Sequence, residues 1–128
     1  MKSQVYQEER NFIFSRKGYC VRGVTVISAL VESLIFSLAK TFLENHRVTY
    51  DPTPSQEFNQ SLNILFANKI LSKEEIENVK NFRTARNKSI HNIFKGMTRT
   101  EWNNQNRLVI NLGRPIIEEL EKKLKSKR

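Results

Sequence analysis

The sequence has a single cysteine, Cys20, in 128 residues, which leaves no disulfide within the chain to staple the fold. No Cys-x-x-Cys pair and no cluster of Cys with His occurs, so the ligand spacing of a zinc site is missing. Four glycines and three prolines are too few for a collagen-like or linker-rich chain, and none forms a phosphate-cradling glycine loop. No Ser-His-Asp pattern and no carboxylates grouped for two-metal chemistry stand out. The alternation of apolar and polar residues that marks half-buried strands is also lacking.

What is present is modest apolar content (38%), eight Phe and an excess of positive charge, 22 Lys and Arg against 13 Asp and Glu, for a net +9. The length fits one domain over residues 1–128. The charge is unevenly placed. Residues 1–79 carry nine basic and nine acidic side chains. Residues 80–107 carry seven basic ones (Lys80, Arg83, Arg86, Lys88, Lys95, Arg99 and Arg107) against Glu101 alone. Residues 108–121 return to a net −2, and a short basic tail, about 122–128, adds +5. Clustering of this kind favours an anionic partner, with nucleic acid foremost.

The first fourteen residues lack the unbroken apolar core of a signal peptide. Val24 to Leu43 is long enough to span a bilayer, but Glu32 and Lys40 interrupt it. A charge at mid-span costs about 2.5–3.5 kcal/mol. The segment therefore reads as a buried core helix of a cytoplasmic protein with no membrane partner.

Val24, Ile27, Val31, Leu34, Ile35, Leu38 and Phe42 recur at three- and four-residue steps, which predicts a helix from about Cys20 to Asn45. Asp51-Pro52-Thr53-Pro54 breaks the chain, and Ser55 is the expected cap of a second helix. Phe58, Leu62, Leu65 and Phe66 supply its inner face, to about Ile70. Ser72 and Glu75 form a capping box for a third helix, with Ile76, Val79, Phe82, Ile90, Ile93 and Phe94 facing inward. It is expected to end near Asn92, before Gly96. Thr100 is the expected cap of a last helix carrying Trp102, Leu108, Val109, Leu112, Ile116, Ile117, Leu120 and Leu124. Gly113 and Pro115 should kink or split that helix. A short helix around Val5 to Phe14 completes the set. The expectation is an all-α, antiparallel bundle of four to five helices.

The third predicted helix has an unusual inner face. Stepping about 100° per residue from Ile76, its apolar members fall between about 240° and 360°. Arg86, near 280°, and Arg83, near 340°, fall inside that sector. Asn87 and His91 lie one turn apart on its edge. A guanidinium without a partner is costly to bury, so each arginine needs an acid or a cleft where anions arrive. Glu32, midway along the long apolar helix, is the available acid. Either arginine could meet it; the ion pair is the stronger reading for Arg83, and the anion cleft for Arg86, with Asn87 and His91 nearby.

These residues resemble a known signature. Arg86-Asn87-Lys88-Ser89-Ile90-His91 is similar to the Arg-x4–6-His motif of the HEPN superfamily, in which a polar residue often follows the Arg. Leu65 to Ser72, a helix end running into a capped helix, resembles the usual lead-in. The likeness extends over about residues 20–125 as helix order. It implies a HEPN-like bundle and a metal-independent endoribonuclease of the toxin–antitoxin, CRISPR-associated or antiphage kind. By the same resemblance, Arg86 and His91 are catalytic, Asn87 orients the site, and two copies of the motif meet across a homodimer. Arg83, Lys88, Lys95 and Arg99 are then supporting or RNA-binding residues, Glu32 an ion-pair partner, and no metal or cofactor is needed. RNA is the implied substrate, and an antitoxin or regulatory protein is a further partner such systems admit.

The chemistry suits the residue types. Cleavage of RNA without a metal needs the 2′-hydroxyl activated, the leaving 5′-oxygen protonated and charge on phosphorus stabilised. An imidazole can take or give a proton near neutral pH, and a guanidinium fork matches phosphate oxygens. His46, beside Arg47, reads as a solvated loop residue, and Cys20, at a helix start, as an inert thiol. Two other readings fit the same composition. One is a HEPN-like bundle without nuclease activity that binds or regulates. The other is an unrelated helical nucleic-acid-binding protein that uses the basic segment and tail.

Overall fold

Each stretch with a three- or four-residue apolar repeat forms a helix in the computed structural model, which describes residues 3–91 and 96–127. The order is α1 (Gln4–Ile13), a 3₁₀ turn (Arg16–Gly18), α2 (Val21–Asn45), α3 (Glu57–Ala67), α4 (Lys73–His91) and α5 (Arg99–Lys127). Over the described residues the protein is an all-α bundle of five helices.

Side-chain contacts set the helix directions. Between α4 and α5, Gln105 Nε2 donates to the Ala85 carbonyl at 3.0 Å and Lys123 Nζ lies 3.3 Å from Glu75. Numbers falling on one helix meet numbers rising on the other, so the two are antiparallel. Between α2 and α5, Gly113 abuts Ile27 and Asn45 Nδ2 donates to the Lys127 carbonyl at 2.9 Å. These two longest helices therefore run the same way. α1 runs against α5, with Tyr6 and Arg10 on Glu121 and Arg114 Nε donating to the Ile13 carbonyl at 2.9 Å.

One buried cluster draws on all five helices, including Ile13, Ile27, Val31, Leu65, Val79, Phe82, Val109 and Ile117. The apolar run of α2 is its centre: Val24, Ile27, Val31, Leu34, Ile35 and Leu38 are buried, while Phe42 is half-buried against the His46 ring. His46 itself is exposed and caps α2, its Nδ1 2.9 Å from the Phe42 carbonyl oxygen. At the α1–α5 contact Glu121 accepts from Arg10 Nε and Tyr6 Oη, each at 2.7 Å. Burial and then the hydrogen bond to Glu121 push the Tyr6 phenol far above its ordinary range.

Several local expectations shift. The second expected helix starts at Glu57 and ends at Ala67; Gln56 precedes it, and Ser55 makes no cap. Phe66 is 52% exposed, because α3 stops one residue later and nothing covers it. Ile90 and Leu108 are exposed as well, whereas Ala85 and Ser89 are buried. The inner face of α4 is thus turned toward α5, away from the side that the apolar count alone favoured. Ile93 and Phe94 lie outside the described residues. The cap of α5 is Thr98, not Thr100: Thr98 Oγ1 accepts from the Glu101 amide at 3.1 Å while the Glu101 carboxylate accepts from Thr98 Oγ1 at 2.9 Å. Only Thr98 has an acid three residues on, as a capping box requires.

Pro115 does not split the last helix, since α5 is helical through it. Gly113 is buried where α5 crosses α2 and α4. A Cβ there would lie 2.5 Å from Ile27 Cδ1 and 2.8 Å from Phe82 Cε1. Nor is the basic end a free tail. Residues 122–127 continue α5, because Leu124, one turn beyond Leu120, is buried with it.

The α4 capping box forms as expected, with the Glu75 amide donating to Ser72 Oγ at 3.1 Å and the Ser72 amide to Glu75 Oε1 at 2.9 Å. Partial burial alone would raise the Glu75 carboxyl, but the Ser72 amide and the Lys123 ammonium outweigh it and hold it below the usual carboxylate range. Its contribution to stability is therefore complete above the unfolded pKa of about 4.3 and disappears as pH falls through the lower folded value. Glu75→Gln keeps the cap but removes the charge. It should cost no more than about 1 kcal/mol at neutral pH. Denaturant unfolding should show that difference vanish near pH 3; an equal difference at both pH values refutes the ion-pair account.

Candidate active site on the fourth helix

The C-terminal half of α4 is held on α5 by polar contacts within a largely apolar interface. The Ser89 hydroxyl donates to the Asn106 amide oxygen, and both side chains are buried. With Gln105 on the Ala85 carbonyl one turn earlier, this fixes the rotation of α4 about its axis. The outward and inward assignments of residues 83–91 follow from that rotation.

Arg86 points inward, toward α2. Its side chain is 21% exposed, and Nη2 lies 3.8 Å from Glu32 Oε2, too far for a hydrogen bond. Its Nε is buried with no hydrogen-bond partner among the described residues. The expected pairing is thus exchanged. Arg86 meets Glu32, whereas Arg83 lays its guanidinium over the Phe58 ring of α3, 4.0 Å from the centroid. The cause is angular: Arg86 faces α2, and Arg83, about 60° round the helix, faces the start of α3. Both line a small cavity with Ser28, Val31, Phe58 and Phe82. Sequence reasoning missed Phe58 as the partner of Arg83; an aromatic at the start of the preceding helix was the available signal.

Asn87, Lys88 and His91 are exposed, with Asn87 and His91 on one edge of α4. Unbroken helix from Arg86 to His91 sets these two side chains about 140° apart around the axis and about 7.5 Å along it. Within one copy, then, Arg86 and His91 do not flank a common point. Arg99 is exposed at the first residue of α5. Lys95 lies outside the described residues. Among the described residues, no group of three or more His, Cys, Asp or Glu is placed to hold a metal ion.

Compared with models of protein families, with curated proteins and with solved structures, the chain matches none. The functional reading therefore rests on the side chains of α4 and on the bundle that orients them.

Proposed function

We propose that this chain is a metal-independent endoribonuclease of the HEPN type, with one reaction site assembled from α4 of two copies. The observation that carries the reading is Arg86. It is a largely buried guanidinium whose Nε has no hydrogen-bond partner among the described residues and whose Nη2 makes a loose 3.8 Å contact to the Glu32 carboxylate, five residues before an exposed histidine. Donors left unsatisfied at that depth are a cost unless an anion uses them.

Separation of Arg86 and His91 within one helix makes a second copy necessary. A twofold axis along the Asn87–His91 edge supplies two imidazoles around one phosphodiester, and each Arg86 leaves its loose 3.8 Å contact with Glu32 to reach the same phosphate. One His91 accepts the 2′-hydroxyl proton as O2′ attacks phosphorus. The other donates a proton to O5′ as the P–O5′ bond breaks. The products are a 2′,3′-cyclic phosphate and a 5′-hydroxyl. Arg86 steadies the non-bridging oxygens, and Asn87 offers an amide to orient them. In this reading Lys88, exposed on α4, is a phosphate contact, with Arg83 and Arg99 as further candidates.

The test is incubation with RNA in EDTA, alongside a solution mass. The expected result is a dimer that cuts RNA to cyclic-phosphate ends, and loss of cutting in both His91→Ala and Arg86→Lys. Cutting that survives in both variants, or that proceeds in a monomer, rejects the assignment. The Arg86–Glu32 contact favours one alternative, a non-catalytic HEPN-like bundle in which Arg86 ties α4 to α2. It predicts no cleavage at any protein concentration and a lower melting temperature in Arg86→Ala.

A further inference from the structure

Away from the α4 edge, a second group of positive charges, Arg16, Lys17, Arg107 and Arg114, makes no ion pair among the described residues. Between Glu101 and Glu118, α5 contains no acidic residue. Arg107, Asn111 and Arg114 follow at steps of four and three, so they share one face of that helix. Tyr19, directly after the 3₁₀ turn, inserts its ring between the two arginines. The Arg107 guanidinium carbon is 4.9 Å from the ring centroid and that of Arg114 is 4.5 Å. The phenol also accepts from Arg114 Nη1 at 2.8 Å and donates to Asn111 Oδ1 at 2.9 Å.

The two guanidinia are used differently. Arg114 also donates from Nε to the Ile13 carbonyl and from Nη2 to the Ser15 carbonyl, each at 2.9 Å, and so secures the turn. Arg107 is exposed and, among the described residues, has the ring but no hydrogen bond and no carboxylate. Its five N–H donors are thus left without a protein acceptor among the described residues. Arg16 and Lys17 are exposed in the adjoining turn. The nearest acid on α1, Glu9, is occupied by Arg22 at 2.8 Å. Like charges gathered around one ring, with Glu118 one turn beyond Arg114 the next acid along that face, mark a place for an anion at the Arg107 end.

We infer that Arg107, held on Tyr19 and backed by Arg114, Arg16 and Lys17, binds the phosphate backbone of a single-stranded RNA. The surface is a strip and not a pocket: exposed Asn103 and Asn104 extend it one turn toward the start of α5. Such a strip suits a chain of phosphates better than one small anion. Naming RNA as the polyanion rests on the nuclease reading; the anion site itself does not.

The test uses a labelled single-stranded RNA with 2′-O-methyl riboses, which can bind but lacks the attacking hydroxyl. Anisotropy is followed from about 50 to 300 mM salt. Arg107→Ala should weaken binding about three- to tenfold at low salt and lower the slope of log K against log salt by about 0.7. Its melting temperature should stay unchanged, and Arg107→Lys should recover most of the slope. If Arg107→Ala matches the wild type in affinity and slope, or the wild type binds no RNA, the surface is rejected. If Arg107→Ala loses binding while the wild type cuts no ordinary RNA, the nuclease reading fails and the binding surface stands.

Discussion

Gly23→Ala should cost about 3 kcal/mol or more of stability, the largest loss expected from adding one methyl group to this chain. A Cβ at Gly23 would lie 1.8 Å from the Gly18 carbonyl oxygen and 2.8 Å from its carbon. Both are backbone atoms, so no rotamer change relieves the overlap. Gly18 is equally confined, its added Cβ 2.9 Å from the Phe12 and Ile13 carbonyl oxygens. The two glycines let the start of α2 lie directly on the 3₁₀ turn. Cys20 completes the corner, its Sγ accepting from the Gly23 amide at 3.4 Å and its own amide donating to the Gly18 carbonyl at 2.9 Å. Gly113→Ala is the useful contrast. Its new methyl meets the ends of the Ile27 and Phe82 side chains, which can move, and about 1 kcal/mol of helix propensity offsets the strain. Denaturant unfolding of the two variants should rank Gly23→Ala well below Gly113→Ala. A loss under about 1 kcal/mol in Gly23→Ala would mean that the corner is not packed as described.

His91→Ala should lower the rate of RNA cleavage in EDTA by about 10² to 10⁴, the usual span for one general acid–base group. Its stability should move by less than about 0.5 kcal/mol, because the side chain is exposed at the end of α4. That separation of activity from stability is the diagnostic part. Arg86 does not offer it, because removing a largely buried guanidinium also frees Glu32 and leaves space between α2 and α4. Arg86→Lys keeps the charge and much of the volume but loses the fork that grips two phosphate oxygens. A parallel fall in stability and activity in His91→Ala would assign the histidine a structural role.

Much of the bundle was legible because helix formation here follows local rules. The periodic apolar residues of α2 and the Ser72–Glu75 box reach their expected places because each depends on neighbours within one turn. Boundaries were missed where the deciding contact is more exacting than residue type: Thr98 caps α5 because Glu101 stands three residues on, and Thr100 has no such partner. Gly113 and Pro115 are expected to kink or split α5, and it is not split, because a helix anchored on two sides by α2 and α4 accommodates the proline.

Which residues occur on α4, and at what angular spacing, is determined by the sequence, because helix geometry converts number into direction without reference to the rest of the chain. That is how Arg83, Arg86, Asn87 and His91 could be singled out at all. Which of those directions points at Glu32, which at Phe58 and which at solvent was decided by the tertiary structure. The rotation of α4 is set by long-range contacts such as Ser89 with Asn106, and these carry no local periodic signal. The absences noted at the outset acquire the same two-part meaning. So few glycines can be counted from the sequence, but only packing shows that Gly18 and Gly23 stand where no other side chain fits.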